Sequence, residues 1–148
     1  MIEQIQESVS QYSYRDTEQF IEDQYPVDIR NYLRIDCNVT SDGFMTRKLR
    51  QILQSQMRLP VRRSLQFYIE QTDVEPPFTV LWKVRNRGEK AERRDMIRGE
   101  IIPSSSGKDG SSIRKESTSF YGPHYVECYI VKNGVVVARD IIDVPIDE

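Results

Sequence analysis

Residues 78–102 read Phe78-Thr-Val-Leu-Trp-Lys-Val-Arg-Asn-Arg-Gly88, then a charged run from Glu89 to Asp95, then Met96-Ile-Arg-Gly-Glu-Ile-Ile102. Phe78, Val80, Trp82 and Val84 share one phase of a period-two alternation, which is the pattern of a half-buried strand. Asn86–Gly88 is turn chemistry, and Met96–Ile102 is expected as the next strand. The chain's only tryptophan lies here, among arginines. Strand, turn and strand, with guanidinium groups at the turn, predict a β-sandwich whose loops meet something anionic.

The same alternation extends outward in both directions. Upstream, Leu33, Ile35, Cys37 and Val39 alternate with Arg34, Asp36 and Asn38, and Ser64–Gln71 places Leu65, Phe67 and Ile69 on one face. Downstream, Ser104–Ser112 is loop by composition, and Glu116–Tyr121 is a short strand. Tyr125–Lys132 and Val135–Val144 flank Asn133-Gly134, which predicts a two-residue type I′ hairpin. Helical spacing marks Phe44–Met57, with Leu49, Ile52, Leu53 and Met57 in one stripe, and Thr17–Gln24, capped by Asp16 and stopped before Pro26, while Met1–Ser8 is expected as a weak turn or helix. The fold class expected is mainly β: an antiparallel immunoglobulin-like sandwich of about seven strands with one or two short helices. Residues 1–30 are expected as a helical connector and residues 31–148 as the sandwich.

The 148 residues suffice for one domain with a buried core. No apolar run approaches the roughly 20 residues that span a bilayer, and the N-terminus lacks signal-peptide character, so a cytoplasmic protein without a membrane partner is expected. Cys37 and Cys128 lie in apolar strand contexts and are expected as reduced core thiols. The net charge of −2 conceals segregation: residues 1–28 sum to −6, residues 45–98 to +7 and residues 99–148 to −3. A basic centre of that kind attracts phosphate.

Catalytic readings fail on spacing. Gly107-Lys108 has Asp109 where a phosphate-binding loop needs Ser or Thr, and Gly99 is too far upstream. Nucleotidyl transfer needs two carboxylates one residue apart after a Gly-Ser turn, whereas Asp140 and Asp143 are three apart. His124, Cys128 and Cys37 lack a fourth zinc ligand. A Cys128–His124 nucleophile pair would be split by about 13 Å of strand. The reading is of a non-enzyme without cofactor or metal. What remains is recognition, by Arg forks for phosphate and aromatic faces for bases. The candidate ligand-binding residues are Lys83, Arg85, Asn86, Arg87, Arg98, Tyr121, His124 and Tyr125. Trp82, in the apolar phase, is assigned to the core.

Four motifs carry a resemblance: Trp-Lys-Val-Arg-Asn-Arg-Gly (82–88), Ile-Arg-Gly-Glu-Ile (97–101), Glu-Ser-Thr-Ser-Phe-Tyr-Gly-Pro-His-Tyr-Val-Glu-Cys-Tyr-Ile (116–130) and Lys-Asn-Gly-Val-Val-Val-Ala-Arg-Asp (132–140). Together with residues 18–29 and 33–37 they resemble the adenylyl/guanylyl and SMODS C-terminal sensor domain, AGS-C, which follows bacterial cGAS/DncV-like nucleotidyltransferase cores in cyclic-oligonucleotide (CBASS) anti-phage defence. The resemblance implies a non-catalytic sensor that binds a nucleotide or oligonucleotide-type ligand and regulates a cyclic-oligonucleotide synthase or effector. It implies a nucleotidyltransferase partner in cis or in trans, since no such core is found in these residues. The alternative is a protein-interaction domain that docks on the nucleotidyltransferase core with no nucleotide ligand of its own.

Overall fold

The computed structural model describes residues 18–40, 46–55, 59–60, 63–86, 99–106, 112–117 and 122–147. Ten strands form among them: β1 (Leu33–Thr40), β2 (Arg47–Lys48), β3 (Leu59–Pro60), β4 (Ser64–Thr72), β5 (Thr79–Asn86), β6 (Ile101–Pro103), β7 (Ser105–Ser106), β8 (Ser112–Ser117), β9 (Gly122–Lys132) and β10 (Val135–Asp147). One sheet has the order β2-β1-β4-β8-β7 and the other β3-β10-β9-β5-β6. All pairings are antiparallel except that of β3 with β10. Three of the ten strands have only two residues. Without them seven remain, as the alternation predicts.

The core between the sheets is built from the predicted phases. Leu33, Ile35, Cys37, Val39, Leu65 and Phe67 of the first sheet face Val80, Trp82, Val126, Cys128, Ile130, Ala138, Ile142 and Val144 of the second. Trp82 is fully buried; its ring meets Phe67 at 6.5 Å between centroids, tilted by 50°. Its indole N–H donates to Ser104 Oγ at 2.9 Å, which satisfies the one polar atom the ring brings inside. Both cysteines are free and buried, and burial pushes the Cys37 thiol from 9.0 up to about 12. The Cys128 thiol is raised as well, by burial first and by the Asp140 carboxylate second.

The hairpin β9–β10 turns at Asn133 (φ 53°) and Gly134 (φ 75°), the left-handed pair that a type I′ turn requires. Its register runs from Val135 opposite Lys132 to Ile146 opposite Gly122, with a shift between Val136 and Ala138.

The helical expectations are shortened. Helix α1 covers Leu49–Gln54 and is preceded by the extended pair Arg47–Lys48, which adds to the edge of β1 through Asn38 and Val39. No side chain at Lys48 caps α1. Asp36 on β1 supplies the cap instead, its Oδ1 accepting from the N–H of Arg50 at 3.1 Å and from that of Cys37 at 2.7 Å. Near the N-terminus, Phe20 is extended (φ −121°, ψ 132°) and only Ile21–Asp23 turns, as a single 3-10 turn. Asp16 and Thr17 lie outside the described residues. Packing decides the short turn, because Ile21 is drawn into an apolar pocket and the residues before it pair with Gly99.

That pocket is a second core, on the outer face of the second sheet. Leu81, Ile101, Tyr129, Val131 and Val136 surround Ile21, with Tyr25 and Val27 against them. The chain from Glu18 to Arg30 thus crosses this face as a strap. Its far end joins the free edge of β10: Val136 N donates to Pro26 O at 2.9 Å, Asp28 N to Val136 O at 3.0 Å, and Arg30 N to Val137 O at 2.9 Å. With β3 pairing at Ile146–Asp147, both ends of this edge are covered.

Candidate functional site

Strand alternation divides the sequence-predicted residues. On β5 and β9 the register sets Lys83 opposite Glu127, Arg85 opposite Tyr125 and Asn86 opposite His124. Lys83, Arg85 and Tyr125 are in the outward phase, out of step with Trp82 and Cys128. His124 is in the inward phase, at the end of the sandwich. The structure therefore brings Lys83, Arg85 and Tyr125 together and leaves His124 on the other side of the sheet, with Asn86 known by its register alone. Arg87, Arg98 and Tyr121 lie outside the described residues.

Arg85 and Tyr125 form the open end of this group. Arg85 Nη1 donates to the Tyr125 hydroxyl at 3.2 Å, and the guanidinium carbon lies 5.4 Å from the ring centroid. This geometry fixes a planar cation against an aromatic face, a cation–π contact worth about 0.5–1 kcal/mol when partly exposed. The Arg85 side chain keeps 28% of its surface in solvent.

Lys83 is the buried end. Its side chain is only 4% exposed, and its ammonium donates to Glu18 Oε2 at 3.1 Å. The same ammonium sits 4.7 Å over the Phe20 ring. Glu18 Oε2 also lies 3.0 Å from Arg85 Nε, an ionic contact whose N–H is not aimed at the oxygen. One carboxylate from the strap therefore sits between two cations of β5. Desolvating a lysine costs several kcal/mol, so Lys83 is tolerated here only because an anion accompanies it.

Glu18 is positioned by a glycine. Gln19 N donates to Gly99 O at 2.8 Å, and Ile101 N donates to Gln19 Oε1 at 2.8 Å. A Cβ on Gly99 would come within 2.9 Å of both Cα and Cγ of Glu18, closer than real Cβ contacts. Close backbone approach is the physical role of the glycine in the Ile-Arg-Gly-Glu-Ile motif.

Beside the group, the Tyr129 hydroxyl donates to Glu127, and Arg139 pairs with Glu22 of the strap at 3.3 Å. Burial raises the Tyr129 hydroxyl above its ordinary range, with the Glu127 hydrogen bond adding to it. Phe20 (52%) and Ile141 (48%) remain half exposed near this face, next to Lys83 and on β10 opposite Glu127. Sequence reading missed Glu18 and Phe20 as site residues. A signal was available: Leu81, Tyr129 and Val131 are apolar in the outward phase, which requires cover on that face.

Among the described residues no three His, Cys, Asp or Glu side chains gather as metal ligands. Nor is any helix among them long and apolar enough to cross a membrane. No curated protein matches the chain. A family model described as the adenylyl/guanylyl and SMODS C-terminal sensor domain matches residues 15–147, strap included. With nearly the whole chain covered, and the sandwich and its motif glycine accounted for, this protein belongs to the adenylyl/guanylyl and SMODS C-terminal sensor domain family.

Proposed function

We propose that the chain senses a phosphorylated, nucleotide-type ligand on the outer face of the second sheet and relays its binding to a nucleotidyltransferase core, attached or separate, in cytoplasmic anti-phage defence. The observation that carries this reading is the convergence of Lys83, Arg85 and Tyr125 on one face, where an anion already lies between the two cations. Arg85 pairs with phosphate, and Tyr125, its ring already against the guanidinium, offers a face for a base. Arg87, Arg98 and Tyr121, outside the described residues, are further candidates for the same ligand by chemical type alone. Asn86 and His124 read the ligand only if it wraps the end of the sandwich. Residues 1–30 serve as connector and residues 31–148 as sensor.

Titration calorimetry of the folded chain against cyclic and linear oligonucleotides tests the reading. At least one is expected to bind with a Kd of about 1–10 µM, and Arg85→Ala to weaken it about 10-fold or more. Absence of heat from every oligonucleotide at high micromolar concentration overturns it. A second reading has its own support in the half-exposed Phe20 and Ile141. In it, this face docks on the nucleotidyltransferase core. Loss of a co-purifying complex in Ile141→Ser, without dependence on nucleotide, distinguishes that case.

A further inference from the structure

We propose that Lys83 and Arg85 form an anion seat with two alternative occupants, the Glu18 carboxylate and a phosphoryl group of the ligand, so that ligand binding displaces residues Glu18–Phe20. This rests on the phosphate-binding reading and adds the regulation of that site.

The seat is costly to leave empty. Lys83 has only 4% of its side chain exposed beneath the strap, and if the strap merely opened, Lys83 and Arg85 would stand on one face of β5 without the carboxylate that lies between them. An incoming oxyanion removes that obstacle, so strap release and ligand binding are coupled as one exchange. Both occupants are oxyanions, but they do not use Arg85 equally. Glu18 Oε2 approaches it at Nε with the N–H misaligned, while Nη1 donates to Tyr125. A phosphoryl group has three acceptor oxygens and suits the guanidinium fork, so it can gain what the carboxylate leaves unused.

The charges facing the seat favour the exchange. Glu18, Lys83, Arg85 and Glu127 cancel, with Glu127 held by the Tyr129 hydroxyl. Once Glu18 leaves, a net positive charge remains to hold the ligand. The Arg139–Glu22 pair lies further along the strap and is self-neutralising.

The strap divides cleanly at Ile21. Before it, the attachments are polar: Gln19 N to Gly99 O, Ile101 N to Gln19 Oε1, and Lys83 over the Phe20 ring. From Ile21 onward a buried side chain and strand-like backbone pairing hold it as well: Ile21 is 2% exposed in its own small core, and Pro26, Asp28 and Arg30 bond to Val136 and Val137. Displacement of Glu18–Phe20 therefore leaves the rest anchored, and it moves the first anchored residue of the described strap from residue 18 to residue 21. That shift is the signal an N-terminally joined core can read.

The test uses the full chain at constant ionic strength with inorganic pyrophosphate as the probe. Calorimetry is run on the wild type, Glu18→Gln and Arg85→Ala, and amide hydrogen exchange is followed at Gln19 and Ile101. Removing the competing carboxylate is expected to tighten pyrophosphate binding about 10-fold, as for any pre-displaced occupant, while Arg85→Ala weakens it at least as much. Pyrophosphate is expected to speed exchange at Gln19 and Ile101 in the wild type. Glu18→Gln binding no tighter than wild type, with Arg85→Ala still weakened, overturns the exchange but leaves the phosphate site standing. Arg85→Ala binding as wild type does, or no binding by either wild type or Glu18→Gln, overturns the site and the exchange together. If Glu18→Gln does not fold, unchanged or slower exchange at Gln19 in the pyrophosphate-bound wild type overturns the proposal.

Discussion

Two partly buried ionic clusters hold this molecule together, and they are built differently. At the seam between the sheets, Asp140 of β10 accepts from Ile35 N at 2.9 Å and from Arg50 Nη2 at 2.8 Å through one oxygen, and from Ile141 N at 2.8 Å through the other. Arg50 Nε in turn donates to Ile35 O at 2.7 Å. Side chains from β10 and α1 thus satisfy the open backbone edge of β1 where β2 no longer covers it. On the outer face, Glu18, Lys83 and Arg85 meet as side chains alone. Partners drawn from the backbone cannot be exchanged without undoing a strand, whereas partners drawn from side chains can. The seam is architecture, and the strap is suited to switching.

The largest effect expected from this contrast is on stability. Asp140→Ala leaves Arg50 Nη2 and two backbone N–H groups without their acceptor in a seam that cannot open, for a loss of about 3 kcal/mol. Glu18→Ala exposes Lys83 to water as the strap end frays, and the loss is about 1 kcal/mol. Urea unfolding of the two variants measures both. Equal losses would break the comparison.

Next in size is Gly99→Ala. Its Cβ would lie 2.9 Å from the Glu18 backbone, so the strap must shift rather than a flexible side-chain tip. Overpacking of this kind costs about 1–2 kcal/mol. The damage should be local: proteolysis near residues 18–20 accelerates while the seam stays intact. A variant that unfolds throughout would show that the strap is as much architecture as the seam.

Alkaline pH should act first on the inner core, and only above about 10 on Tyr129 beneath the strap, whose raised hydroxyl lowers stability in the same sense. The Cys37 thiol ionises near 9.0 when ordinary and near 12 when buried here, so between those values the unfolded chain gives up a proton that the folded chain keeps. Stability is unaffected by this group below pH 9 and falls as pH rises from there toward 12, by about 1.4 kcal/mol per pH unit per thiol. Cys128, raised in the same sense, steepens the fall. Thermal unfolding from pH 8 to 11 should show it, and Cys37→Ala should flatten the slope.

What the sequence revealed and what it hid follow the same division. The alternation in β1 and β5 and the Asn133-Gly134 turn are local, so strand phase, hairpin and the core position of Trp82 were legible. The strap was not, because Glu18 meets Lys83 across 65 residues and Gln19 meets Ile101 across 82. Local spacing at Thr17–Gln24 predicts a helix. Tertiary burial of Ile21 overrides it, as packing regularly overrides weak propensity. The site residues were legible as chemical types but not as a set, since their grouping depends on the register that separates Tyr125 from His124. Helix α1 illustrates the same limit: its cap, Asp36, sits fourteen residues before Arg50 on another element.

The smallest expected effect is the sharpest test of which face acts. Tyr125 contributes to stability chiefly through its ring, because its hydroxyl accepts from an Arg85 Nη1 that water can serve equally well. Tyr125→Phe should therefore change unfolding by less than about 0.5 kcal/mol, as exchanges of exposed hydrogen bonds usually do. The hydroxyl nevertheless helps aim the guanidinium, whose contact through Nε to Glu18 is misaligned. Without it the fork rotates, and pyrophosphate affinity should fall about 3- to 10-fold with no matching loss of stability. The corresponding change at the seam, Asp140→Asn, leaves one acceptor oxygen for Ile35 and Ile141 where there were two and removes the charge facing Arg50, so it should lower stability with no effect on pyrophosphate. If instead Tyr125→Phe binds as the wild type does and Asp140→Asn binds more weakly, the ligand is read at the seam, and the division between architecture and switch is drawn on the wrong side of the sheet.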